Sequence, residues 1–209
     1  MRKTVSILTV AVVLIGMAVF STAAAPDSEQ VREYSIKAAF IYNFIKFVDW
    51  PSDTDQQSEE ADDDTEPITI GIIGENPFGK AFEAVVKKKV KDKKLVIKEL
   101  ACFKEDIEAE DEDAYEHEKA LQSCHVLFVC PLERKCREEI IKKVKANCVL
   151  TIGETDGFLE TGGIIEFVMY ENKVQFEINL VAAQEAGLKI RSQLLRLAKR
   201  VIKADEEEK

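Results

Sequence analysis

Ile68-Thr-Ile-Gly-Ile-Ile-Gly74-Glu-Asn-Pro77 decides the fold. An unbroken β-branched run suits a strand buried on both faces, and glycine ends it in a tight turn. Asn76 is placed to cap a helix and Pro77 to occupy its first position, which predicts a helix through about Lys89. The same unit recurs at Val126 to Cys130, where Pro131 opens a helix with Leu132, Cys136, Ile140, Ile141 and Val144 at helical spacing. Leu95 to Leu100 and Cys148 to Ile152 read as further strands, and residues 104–121 as acidic and partly helical. Short apolar runs alternating with helices imply right-handed βαβ units. The fold class is therefore α/β, a largely parallel sheet with helices on both faces.

The pattern changes downstream. Ile164 to Tyr170 and Lys173 to Leu180 are joined only by Glu171-Asn172, which predicts a C-terminal antiparallel hairpin. Val181 to Glu185 gives one or two helical turns stopped at Gly187. Ser192 is placed to cap a last helix whose Leu194, Leu195, Leu197, Ala198, Val201 and Ile202 pack inward. Upstream, Asp27-x-x-Gln30 opens a helix running to Val48, with Val31, Tyr34, Ala38, Ile41, Ile45 and Val48 as its apolar stripe, widened by Ile36, Phe40, Phe44 and Phe47. Trp50-Pro51 ends it, and residues 52–66 form an acidic loop.

The N-terminus sets the compartment. Met1-Arg-Lys3, an apolar run from Val5 to Phe20 and an A-x-A exit at Ala25 read as a cleaved signal peptide, residues 1–25. A single domain then covers 28–203, with a charged tail at 204–209. The product is expected to be soluble and exported. The 209 residues carry 29 Lys+Arg against 39 Asp+Glu, a formal charge of −10. That balance argues against nucleic acid as a partner and against docking on anionic lipid.

No constellation supports catalysis or a cofactor. Gly74 to Lys80 has phosphate-loop spacing, but Ala81 replaces the magnesium-binding hydroxyl and Glu75 sets a carboxylate where phosphate would lie. His117 and His125 lack partners at metal spacing. Glu154, Asp156 and Glu160 around Gly157 lack the rhythm of a calcium loop and are expected to be solvated. The five cysteines show no C-x-x-C; Cys124, Cys130 and Cys148 sit in apolar runs and read as packing. If a disulfide forms, Cys102 with Cys124 is the first pair to consider, since both border strands. Glu177 and Asn179 share a strand face with Gln175, either as a solvent face or as a polar rim for a partner. Trp50 is either core or an exposed aromatic anchor.

Taken together the motifs resemble the YfiR-like family of periplasmic proteins. They are the helix Tyr34 to Pro51, Ile68 to Gly74, Cys124-His-Val-Leu-Phe128, Val149-Leu-Thr-Ile-Gly153, Gly157-Phe158 with Gly162-Gly163, Phe176-Glu-Ile-Asn-Leu180, Ala186 to Ile190 and Leu194 to Ala198. The resemblance implies an exported α/β protein without catalytic activity. Known members bind the periplasmic region of an inner-membrane diguanylate cyclase and hold it inactive, which restrains cyclic-di-GMP and biofilm formation. It further implies an OmpA-like lipoprotein that sequesters the repressor, and homodimers with redox-sensitive disulfides. The cysteine pair of characterised repressors has no counterpart between Gly157 and Phe167, and the acidic stretches 52–66 and 104–119 look longer than usual.

Three function classes follow. The first is a regulator binding the extracytoplasmic domain of a membrane signalling protein, a diguanylate cyclase or kinase, with Glu177, Asn179 and Trp50 as candidate partner-binding residues. The second is a periplasmic small-ligand binding protein acting with a sensor kinase or transporter. The third is an exported enzyme.

Overall fold

The structure, a computed structural model, describes residues 28–51, 66–101 and 112–204. The signal peptide, residues 52–65 of the acidic loop, Cys102 and the tail beyond Ala204 lie outside the described residues.

Helix α1 (Ser28–Phe47) opens the chain and buries Lys37, Ala38, Ile41, Phe44 and Ile45. Its buried stripe is narrower than the sequence indicates, since Val31 and Ile36 are exposed. The short strand β1 (Val48–Asp49) follows. Next come β2 (Ile68–Ile73), α2 (Glu83–Val86), β3 (Leu95–Leu100), α3 (Glu112–Gln122), β4 (Val126–Val129), α4 (Arg134–Val144) and β5 (Leu150–Gly153). A 3-10 turn at Leu159–Thr161 leads to β6 (Ile165–Tyr170) and β7 (Lys173–Asn179). The chain closes with α5 (Leu180–Glu185), β8 (Lys189–Ile190), α6 (Ser192–Leu195) and β9 (Arg200–Ile202).

The main sheet has seven strands in the order β3-β2-β4-β5-β6-β7-β9, while β1 and β8 form a separate antiparallel pair. Pairing is parallel from β3 through β6, and β7 is antiparallel to β6. The expected α/β class and hairpin are therefore present. Glu171 and Asn172 both adopt positive φ, the two-residue turn geometry that matches strand twist. One core lies between the sheet and α1, α2 and α6, with Phe44 against Phe167 and Phe176. A second, around Leu127, Ile140 and Phe158, lies under α3 and α4.

Two expected helices are corrected. The one predicted over 76–89 shrinks to Glu83–Val86, because Asn76 Oδ1 accepts from Phe78 N at 2.9 Å and closes a local turn instead of capping. The long last helix does not form. After α6 the chain becomes β9, and Glu177, Ile178 and Asn179 pair in parallel with Arg200, Val201 and Ile202. Without β9, strand β7 would present a bare edge, and Val201 and Ile202 are β-branched. Leu197, placed inward by the helical reading, is 68% exposed.

Candidate functional site

Side chains on β7 alternate. Phe176 and Ile178 enter the core beneath α1, while Gln175, Glu177 and Asn179 take the opposite face. That face continues onto neighbouring strands through register, with Glu166 of β6 and Arg200 of β9 flanking Glu177. Arg200 Nε donates to Glu177 Oε2 at 2.5 Å, and its Nη2 lies 3.6 Å from Glu160 Oε1. Lys199 Nζ is 4.0 Å from Glu177 Oε1 and sits over the Tyr170 ring. The cluster mixes both signs of charge and leaves Arg200, Glu160, Lys199 and Tyr170 at the surface, with Glu177 buried behind them.

Glu166 is the most constrained member. It is buried, accepts from Leu159 N at 3.1 Å, and stands directly across from Glu177. Burial pushes its pKa above the ordinary carboxylate value, with Glu160 and Glu177 adding to the rise. The folded chain thus holds this proton more tightly than the unfolded chain. Its contribution to stability is full below the unfolded pKa and is lost as pH rises through the raised value. Glu166→Gln is accordingly expected to raise the urea midpoint at neutral pH, with the gain vanishing below about pH 4. A lower midpoint at neutral pH would contradict this account.

Asn179 ties three elements together. Its Oδ1 accepts from Ala182 N at 3.0 Å and caps α5, its Nδ2 donates to Leu159 O, and its backbone N–H reaches Ile164 O. Trp50 is only 5% exposed. Its Nε1 donates to Cys148 O at 2.9 Å, its ring meets His125 edge-on, and Lys91 Nζ lies over it. Of the three residues singled out in the sequence, the structure therefore brings Glu177 and Asn179 onto one face. Trp50 lies at the amino ends of the strands as a core residue. Cys124 carries a buried thiol, pushed up to about 11 by burial, whose Sγ donates to Ala120 O. Burial likewise pushes Cys130 up to about 12, so both behave as packing.

The carboxyl ends of the parallel strands are where α/β sheets commonly take ligands, and at the end of β5 three of the chain's own side chains meet. Lys37 Nζ donates to Glu154 Oε2 at 2.5 Å and also pairs with Glu33 one turn back. Tyr34 Oη donates to Glu154 Oε1 at 3.0 Å, and burial beside that carboxylate pushes the phenol pKa up. Phe78 packs on Tyr34 and Phe128. The expectation that Glu154 is solvated is corrected, because its side chain is 8% exposed and belongs to a buried ion pair. Sequence reasoning also missed Lys37, whose signal was a lone cation on an apolar helix face. It missed Arg200 as well, by assigning it to a helix. A recess between α4, β5 and α5, bordered by Val144, Thr151, Gly162 and Ala182, has room for about one water molecule.

Residues 34–199 match the YfiR/HmsC-like family. The chain belongs to that family. No curated protein matches it. Among solved structures it is similar to a conserved domain protein from Vibrio cholerae O1 biovar El Tor, at 13% identity and a TM-score of 0.48 over 80% of this chain and 60% of that one. A Streptococcus ABC domain in complex with L-Trp is similar at 16% identity and a TM-score of 0.44, over 64% of this chain and 55% of that one. The chain thus spans little more than half the length of either. Among the described residues of this YfiR/HmsC-like chain, no helix is long and apolar enough to cross a membrane.

Proposed function

We propose that this chain is a periplasmic, non-enzymatic regulator that binds the extracytoplasmic domain of an inner-membrane signalling protein. The observation that carries the reading is the family match over residues 34–199, since YfiR-like proteins are regulators of this kind. The favoured target is a diguanylate cyclase, whose restraint limits cyclic-di-GMP and biofilm formation, and an OmpA-like lipoprotein is the proposed counter-partner. The proposed contact is the rim formed by Arg200, Glu160, Lys199 and Tyr170. Glu177 and Asn179 position that rim, whereas Trp50 is a core residue at the amino ends of the strands and is not part of it. Charges of both signs held by ion pairs on a sheet face suit register-specific recognition of a polar partner.

A regulator of this type acts by binding the silent state of its target more tightly than the active one. Its effect is capped by that difference in affinity. Deleting the gene in its native host is expected to raise cyclic-di-GMP, and complementation with Arg200→Glu to fail although the variant is exported. Unchanged cyclic-di-GMP on deletion, with no change in phosphorylation of any membrane kinase, would contradict the regulator reading. The small-ligand reading would instead gain from a metabolite-dependent rise in melting temperature.

A further inference from the structure

The acidic net charge hides a segregated basic surface. Between α2 and β3 the chain reads Lys87-Lys88-Lys89-Val90-Lys91-Asp92-Lys93-Lys94. From Ala84 to Lys98, Asp92 is the sole acidic side chain. Val90 N donates to Lys93 O and Lys93 N to Val90 O, both at 3.0 Å, and Lys91 and Asp92 take positive φ at the tip. Val90 and Leu95 anchor the base of this closed turn in the core. Lys91 turns back to donate to Val48 O and to cover Trp50, while Lys87, Lys88, Lys89 and Lys94 are exposed. Ile68 N donates to Lys94 O, which sets the turn at the amino ends of β2 and β3.

We propose that this lysine turn docks the protein on an anionic phospholipid surface. Lysines are hydrated point charges without the planar fork that reads a carboxylate in two places. A diffuse sheet of phosphate headgroups asks for no more than that. Protein interfaces deplete lysine at their centres and rely on aromatic or arginine anchors. The exposed large apolar residue closest in sequence is Val96, and the turn itself carries none. Asp49 lies 3.7 Å from Lys91 Nζ and Asp92 sits at the tip, while charges more than roughly 8 Å away are largely screened at physiological salt. The expectation drawn from net charge alone thus gives way to one drawn from charge placement.

The test is co-sedimentation of the exported chain with vesicles of phosphatidylcholine alone or mixed with phosphatidylglycerol. Retention is expected only on the anionic vesicles and should fall as salt is raised. K87Q/K88Q/K89Q is expected to lower the partition constant by about fivefold per lysine. K119Q/K135Q/K142Q removes the same charge from exposed positions on α3 and α4 and should leave binding nearly unchanged. Both variants are checked for an unaltered melting temperature. Equal retention of the native chain on both vesicle types would overturn the proposal, as would equal losses in the two variants. Binding that emerges only when the carboxylates of residues 53–66 are neutralised would make the chain's own acidic segment the occupant, and would overturn it too. Capture of a partner's soluble extracytoplasmic domain by K87Q/K88Q/K89Q, without lipid, keeps the regulator reading separate from this result.

Discussion

Lys37→Met is expected to lower the free energy of unfolding by about 3–5 kcal/mol, among the largest effects of any surface-sparing substitution in this chain. Lys37 is 4% exposed and is the cation between Glu154 and Glu33. Removing it leaves Glu154 buried at the carboxyl end of β5, with the Tyr34 hydroxyl still donating to it. The loss reflects an uncompensated charge more than a lost attraction. Lys37→Met combined with Glu154→Leu should therefore recover most of the stability, because a well-packed apolar pair replaces a buried ion pair at little cost. Urea unfolding followed by fluorescence of Trp50, the single tryptophan, reads all three chains. A double variant no more stable than Lys37→Met would contradict the account.

Phe158→Ala is expected to cost a similar amount, about 3–5 kcal/mol. The ring is fully buried and is seated on two glycines. A Cβ added at Gly153 would lie 2.5 Å from the ring, and one at Gly163 would lie 2.2 Å from it. These glycines make room for Phe158, which closes the second core where β5 passes into the 3-10 turn. Gly163→Ala in the native chain should accordingly destabilise by roughly 1–3 kcal/mol through overpacking. In the Phe158→Ala background the same change enters the vacated space, and its cost should shrink or reverse. Additive losses in the double variant, measured by urea midpoint, would show that the two positions do not share the space as described.

The parts of the fold legible in the sequence were those set by local pattern. The β-branched runs at Ile68 and Val126, and the two-residue turn at Glu171-Asn172, gave the parallel sheet and its hairpin because their periodicity and turn chemistry point one way. The misread segments were those where tertiary partners override local preference. Residues 200–202 continue the helical spacing of Leu194 and Leu195, yet they serve the open edge of β7. Asn76 has the chemistry of a cap and spends it on a turn. At the candidate site, period two placed Glu177 and Asn179 on one face. No pattern within a single strand could reveal that Arg200 and Glu166 arrive beside them from neighbouring strands, or that Lys37 reaches Glu154 across the fold.

Placing a photo-crosslinking residue at Tyr170, on the exposed hairpin rim, and another at Lys142, on the outer face of α4, tests the central claim most directly in the native host. The account predicts that Tyr170 captures an inner-membrane protein with an extracytoplasmic domain and a cyclase or kinase output domain, and that Lys142 does not. Identical products from both positions, or capture of nothing beyond the chain itself, would contradict it.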